Sequence, residues 1–143
     1  MVTNYWTQFY KVDPLNRCVR IEAEPIFEWL NRTVPFDGSK IDWDRLGAEN
    51  HESWISDAEH FPEELLVAFC ASIPAGSRVI HVGDNLSEFG IVFRAEEAFL
   101  ILSCLLEIPE HHYFVAEDRA WLGAITFEGE ADLALGLFRN GSG

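Results

Sequence analysis

Residues 111–127 read HHYFVAEDRAWLGAITF, and the fold turns on how this run is divided. Two stretches rich in aromatic and apolar residues, HHYFVA and AWLGAITF, flank the polar triplet EDR. Short apolar runs bounded by a polar turn signal are strands, and two of them around one turn make a hairpin. Immediately upstream, AEEAFLILSCLLEI at 95–108 is apolar around most of a helical circumference, which suits a helix packed between other elements. Pro109 ends it. Before that helix, RVIHVGD and FGIVFR are two more strands around the turn DNLSE. After the hairpin, ADLALGLF suits either an edge strand or a short helix.

Further upstream, PEELLVAFCASI at 62–73 has Pro62 at the first helical position, Glu63 and Glu64 in the first turn, and Leu65, Leu66, Phe69 and Ile73 on one face. EPIFEWLNRTVP starts a shorter helix at Pro25, with Ile26 and Leu30 four apart, and Pro35 stops it. RCVRIEA at 17–23 alternates as a half-buried strand does. NYWTQFYKV near the start leaves helix and strand both open. Residues 36–56 mix turn formers with Trp43 and Trp54 and read as an irregular connection pinned by its tryptophans. That length is itself a warning, because long structureless connections are uncommon in a compact domain. Hairpins interrupted by single helices, with no regular strand–helix alternation, predict a single α+β domain over 1–143, mainly an antiparallel sheet with helices packed on one face. RNGSG at 139–143 reads as a frayed, disordered tail.

With 48% hydrophobic and 13% aromatic residues the chain has material for a full core. Ten Lys and Arg against twenty-four Asp and Glu leave a formal net charge of −14. Such a surface repels nucleic-acid backbones and anionic lipid, so neither is expected as a direct partner, while a basic protein is steered towards it. No long apolar span and no basic-then-apolar leader occurs, so a cytoplasmic setting is expected. There the three widely spaced cysteines, Cys18, Cys70 and Cys104, are expected reduced and buried.

Chemistry-bearing residues are few. His111 and His112 are neighbours on an extended run and face opposite ways, so they cannot hold one metal together. One of them is expected to pack inward and donate to a backbone carbonyl. His81 and Asp84 in HVGDN have the types of a general base and its orienting carboxylate, but Gly83 and Asp84 also explain a plain turn. No phosphate-binding glycine loop, GxSxG, HExxH or calcium loop is present. Cys70 and Cys104 lie in apolar helices, where burial raises a thiol pKa and weakens it as a nucleophile. Glu128, Glu130 and Asp132 alternate along FEGEADL and share one face of an extended chain. Three carboxylates together repel unless a cation is supplied, either a divalent metal or a Lys- and Arg-rich protein surface. Alternating Glu on an exposed strand is also an ordinary solvated face. The net charge of −14 favours the protein surface, since a single metal has no need of an acidic chain around it.

The block RVIHVGDNLSEFGIVFRAEEAFLILSCLLEIPEHHYFVAEDRAWLGAITFEGEAD, residues 78–132, resembles small acidic bacterial immunity proteins, the cytosolic antidotes to polymorphic or contact-dependent toxins. The likeness lies in a Gly-Asp turn after a strand, then a helix, a His-Tyr strand, a Trp strand and a closing Glu-Gly-Glu element. It implies a non-enzymatic protein, without cofactor or metal, that occludes a basic toxin domain such as a nuclease. Asp84, Glu128, Glu130 and Asp132 match the pattern, and a contact role for them is inferred from charge. Glu88 in the first polar turn and Glu117 and Asp118 in the second join them as expected partner-binding residues. Two other functions stay open: a metal-dependent hydrolase using His81, Asp84 and the Glu128–Asp132 carboxylates, and an acidic interaction scaffold unrelated to toxins.

Overall fold

In the computed structural model, which describes residues 11, 13–38, 40–56, 61–84, 89–126 and 128–137, the run 111–126 forms the expected hairpin. Strands β7 (His112–Ala116) and β8 (Trp121–Ile125) pair antiparallel, Tyr113 opposite Ala124. Every residue of both is buried. That explains why they read as continuous apolar runs rather than alternating ones: both faces of the sheet are covered here. The turn between them is closed by Arg119 N–H donating to Ala116 O at 2.8 Å, with Arg119 itself at φ 64°. Its guanidinium lies over Trp29, 5.4 Å from the ring centre.

β5 (Arg78–Gly83) and β6 (Gly90–Arg94) form the other expected hairpin. β5 also pairs with β7, and β1 (Val19–Ile21) flanks β6. β9 (Glu130–Leu135) flanks β8, and β4 (Asn50–Ile55) flanks β9. The result is one seven-stranded sheet, β1-β6-β5-β7-β8-β9-β4, in which every pairing is antiparallel. The chain is therefore a single α+β domain.

Helix α3 (Glu63–Ser72) and helix α4 (Ala98–Leu105), the latter entered through a 3₁₀ turn at Ala95–Glu97, pack together. They cover the face bearing Val79, Phe93, Phe114 and Leu133. Ala98, Ile101, Leu102 and Leu105 of α4 are buried at the spacing of one helical face. These two helices form the layer expected on one side. The opposite face, with Ile80, Val82, Val115 and Leu122, is covered by α1 (Glu24–Thr33) through Ile26 and Leu30. Beside α1 lies a small hairpin of β2 (Phe36–Asp37) and β3 (Lys40–Ile41).

Two expectations need correction. Residues 36–56 are no irregular connection: they hold β2, β3, the short helix α2 (Trp43–Leu46) and the whole of β4. α2 is capped by Asp42, whose carboxylate accepts from Arg45 N–H at 3.2 Å, and it ends at Gly47 with φ 71°. β4 escaped notice because NHESWI is polar and, among the described residues, only one of its sides is paired within the sheet. Pairing with β4 also places β9 inside the sheet rather than at its edge, with Ala131, Leu133 and Ala134 buried. The opening NYWTQFYKV, apart from Lys11, and the closing RNGSG lie outside the described residues.

Candidate functional site

Register assigns each acidic side chain to an end of the sheet. His112 lies opposite Gly83 on one side and Ile125 on the other, and Ile125 opposite Ala131. The end of β5, the start of β7, the end of β8 and the start of β9 therefore share one end. Asp84 sits just beyond β5 there, its Oδ1 accepting from His111 N–H at 3.1 Å. Glu128 lies in the turn before β9 and Glu130 opens that strand. Lys40 Nζ reaches the Oε1 atoms of both Glu128 and Glu130 at 3.2 Å. Hydrogen bonds to Glu130 and then Glu128 raise the Lys40 ammonium above its ordinary pKa. Asp132 projects on the same face as Glu130. Its Oδ1 is 2.8 Å from His51 Nε2, and the His51 ring stacks on Trp43 at 5.3 Å. Burial pushes the Asp132 carboxyl up, and the bond to His51 opposes that shift.

Glu130 and Asp132 thus share a face as alternation predicts, whereas Glu128 lies in the turn, not on an extended strand, and meets Glu130 through Lys40. Lys40 and His51 already answer part of this charge. Glu117 and Asp118 stand at the opposite end, in the β7–β8 turn. A five-residue strand at about 3.3 Å per residue separates the two groups by roughly 16 Å. Glu117 pairs with Arg78 at 3.3 Å, and Asp118 accepts from Ala120 N–H at 3.0 Å. The expected set is therefore split between two ends, and Glu88 lies outside the described residues.

The ends differ in charge. A cleft of about 770 Å³ opens between the α3/α4 layer and the β8–β9 turn, its lining including Glu63, Glu107 and Glu110 beside Thr126 and Gly129. With Asp84, Glu128 and Glu130 these make one end of the sheet strongly anionic. The other end is mixed in sign: Arg78 and Arg94 lie opposite one another on β5 and β6, with Arg119 in the β7–β8 turn, among Glu117, Asp118 and Glu96.

The histidines form a buried chain. His112 Nε2 donates to Ile108 O at 2.9 Å, the inward-packed donor expected of this pair. That bond fixes the tautomer and leaves His112 Nδ1 as an acceptor, so His81 Nε2 donates to it at 2.8 Å. The rings stack 5.1 Å apart, and Phe114 lies 5.2 Å from His81. Burial lowers His81 well below the usual histidine pKa, the neighbouring His112 adding to the effect. Burial lowers His112 as well, against the bond to Ile108 O. Both rings are neutral at neutral pH. Sequence reasoning missed this pair because β6 and α4 intervene along the chain, and only the β5–β7 register brings the two rings together.

His81 points into the α3/α4 side of the sheet with Phe114, whereas Asp84 lines a cleft of about 490 Å³ on the α1 side with Phe27 and Tyr113. The two therefore do not face a common space. Among the described residues no group of three or more His, Cys, Asp and Glu side chains is placed to hold a metal ion. Cys18, Cys70 and Cys104 are free thiols, half-buried. Burial pushes Cys70 up to about 12 and raises Cys104, in the direction expected for these helix-borne thiols, and it pushes Cys18, outside any helix, up to about 11. Among the described residues no helix is long and apolar enough to cross a membrane. No family model, no curated protein and no solved structure matches the chain.

Proposed function

We propose that this chain is a non-enzymatic immunity protein of the cytoplasm, which docks a basic toxin domain through its anionic end and so blocks it. The observation that supports this reading is the uneven charge along the sheet: Asp84, Glu128 and Glu130 crowd one end with the acidic cleft, whereas at the other end Arg78, Arg94 and Arg119 are interspersed with Glu117, Asp118 and Glu96. A nuclease domain suits such a surface, because a cleft built of Lys and Arg to hold phosphates also accepts a carboxylate array. Uneven charge of this kind speeds and orients the encounter with a cationic partner more than it strengthens the final complex.

The test is rescue of cells expressing a basic toxin domain encoded beside this chain's gene, joined to association kinetics with that purified domain. Rescue and tight binding are expected, with association slowing as salt rises. Replacing Glu128→Gln and Glu130→Gln together is expected to slow association about 3–10-fold at low salt and little at high salt. Tight binding to a basic protein without rescue from any toxin would instead indicate an acidic scaffold.

A further inference from the structure

The geometry points to β4 as the element that takes the partner: we propose that an extended, Lys- or Arg-bearing segment of a basic protein adds to this edge as an eighth antiparallel or parallel strand. The inference rests on the docking reading above and adds to it the mode of recognition. Ser56 N–H donates to Gly129 O at 2.9 Å, while the Glu130 carbonyl accepts from the N–H of Thr126, just after β8, at 2.8 Å. Bonding alternates along an antiparallel ladder, so Trp54 and Glu52 turn their main-chain groups towards β9. His51, Ser53 and Ile55 turn theirs outward, and among the described residues no strand pairs with β4 on that side. The main chain there is open: His51 is exposed as a residue although its side chain is only 30% accessible. Ile55 is 78% exposed.

Natural sheets guard a long edge with charged side chains, lysine above all, with proline, a bulge or a covering element. NHESWI has neither lysine nor proline, its one carboxylate, Glu52, accepts from Ser72 Oγ at 2.8 Å, and its register with β9 runs unbroken from Asn50–Leu135 to Ile55–Glu130. The other edge differs, since β1 is three residues long and carries Arg20. Charge selects the occupant of β4. One face of an added strand lies beside Glu52, and the other looks towards Glu130 and Asp132 one strand further in. A second copy of this chain would bring another −14 and its own Glu52 to the same edge, which opposes self-pairing. Main-chain bonds supply the affinity in this mode of recognition and alternate side chains the specificity.

The test uses the full chain and a short peptide alternating lysine with valine, at low salt. Amide exchange at His51, Ser53 and Ile55 is expected to slow about tenfold on adding peptide, while Glu52 and Trp54, already bonded to β9, change little. Ser53→Pro removes one outward N–H without touching the ladder or the charge, and is expected to weaken binding about tenfold. The same peptide N-methylated at its two central residues keeps its charge and needs no variant to fold. It is expected to bind about tenfold more weakly. Equal binding of both peptides, or binding with exchange at those three amides unaltered, overturns strand addition and leaves the acidic docking surface standing. Absence of binding by either peptide overturns both. Protection of the same amides without peptide, growing with protein concentration, overturns the basic occupant in favour of a second copy.

Discussion

At the scale of single residues, the His81–His112 pair is where the fold meets solution chemistry most directly. Both rings are held neutral by burial, and each makes a bond that requires a particular tautomer. Their folded pKa values lie below the ordinary 6.5, so an unfolded chain binds protons more readily than the folded one as pH falls below that value. Stability from this pair is therefore fully present above about pH 6.5 and is lost as pH falls, by about 1.4 kcal/mol per pH unit for each histidine. Urea unfolding between pH 7.5 and 5 is expected to show that decline, and His81→Phe, which keeps an aromatic ring against Phe114, is expected to flatten its slope. A slope unchanged in this variant would mean that other groups carry the acid sensitivity.

At the scale of elements, α4 shows how one short segment can look uniformly apolar while its positions differ in importance. Leu102 is fully buried against the sheet, whereas Leu100, two positions away, is 59% exposed. Leu102→Ala is expected to lower unfolding free energy by about 2–5 kcal/mol, and Leu100→Ala by no more than about 0.5 kcal/mol. Denaturant titration of the two variants checks both values. The even apolarity of AEEAFLILSCLLEI hid that contrast, because hydropathy reports composition around a helix and only packing decides which side is covered. β4 shows the converse. Its polar letters disguised a strand whose main chain bonds β9 over six residues, since an edge has only one neighbour and its side chains need bury little.

For the molecule as a whole, the governing quantity is a net charge of −14 carried by a small globule. Such self-repulsion opposes compactness, and added salt screens it. Melting temperature is expected to rise by about 2–5 °C between low salt and half-molar sodium chloride, as calorimetry would show. A fall over that range would mean that internal pairs such as Lys40 with Glu128 and Glu130 outweigh the repulsion. Under the proposed docking, the same charge gives the anionic end its reach towards a cationic partner.

The two hairpins between residues 78 and 125, the three longer helices and the α+β class were legible in the linear chain, because runs of buried side chains and proline or turn signals are local properties; ADLALGLF, open between edge strand and helix, was not. The shared face of Glu130 and Asp132 was legible too, since alternation needs only an extended backbone; Glu128, in the turn before β9, was not placed that way. What the linear chain did not contain was the neighbour of each strand. Lys40 beneath the carboxylates, His51 against Asp132, the joined imidazoles of His81 and His112, and the open outer side of β4 all depend on sheet order. That order is set by long-range pairing across intervening helices, and it was decided only by the tertiary structure.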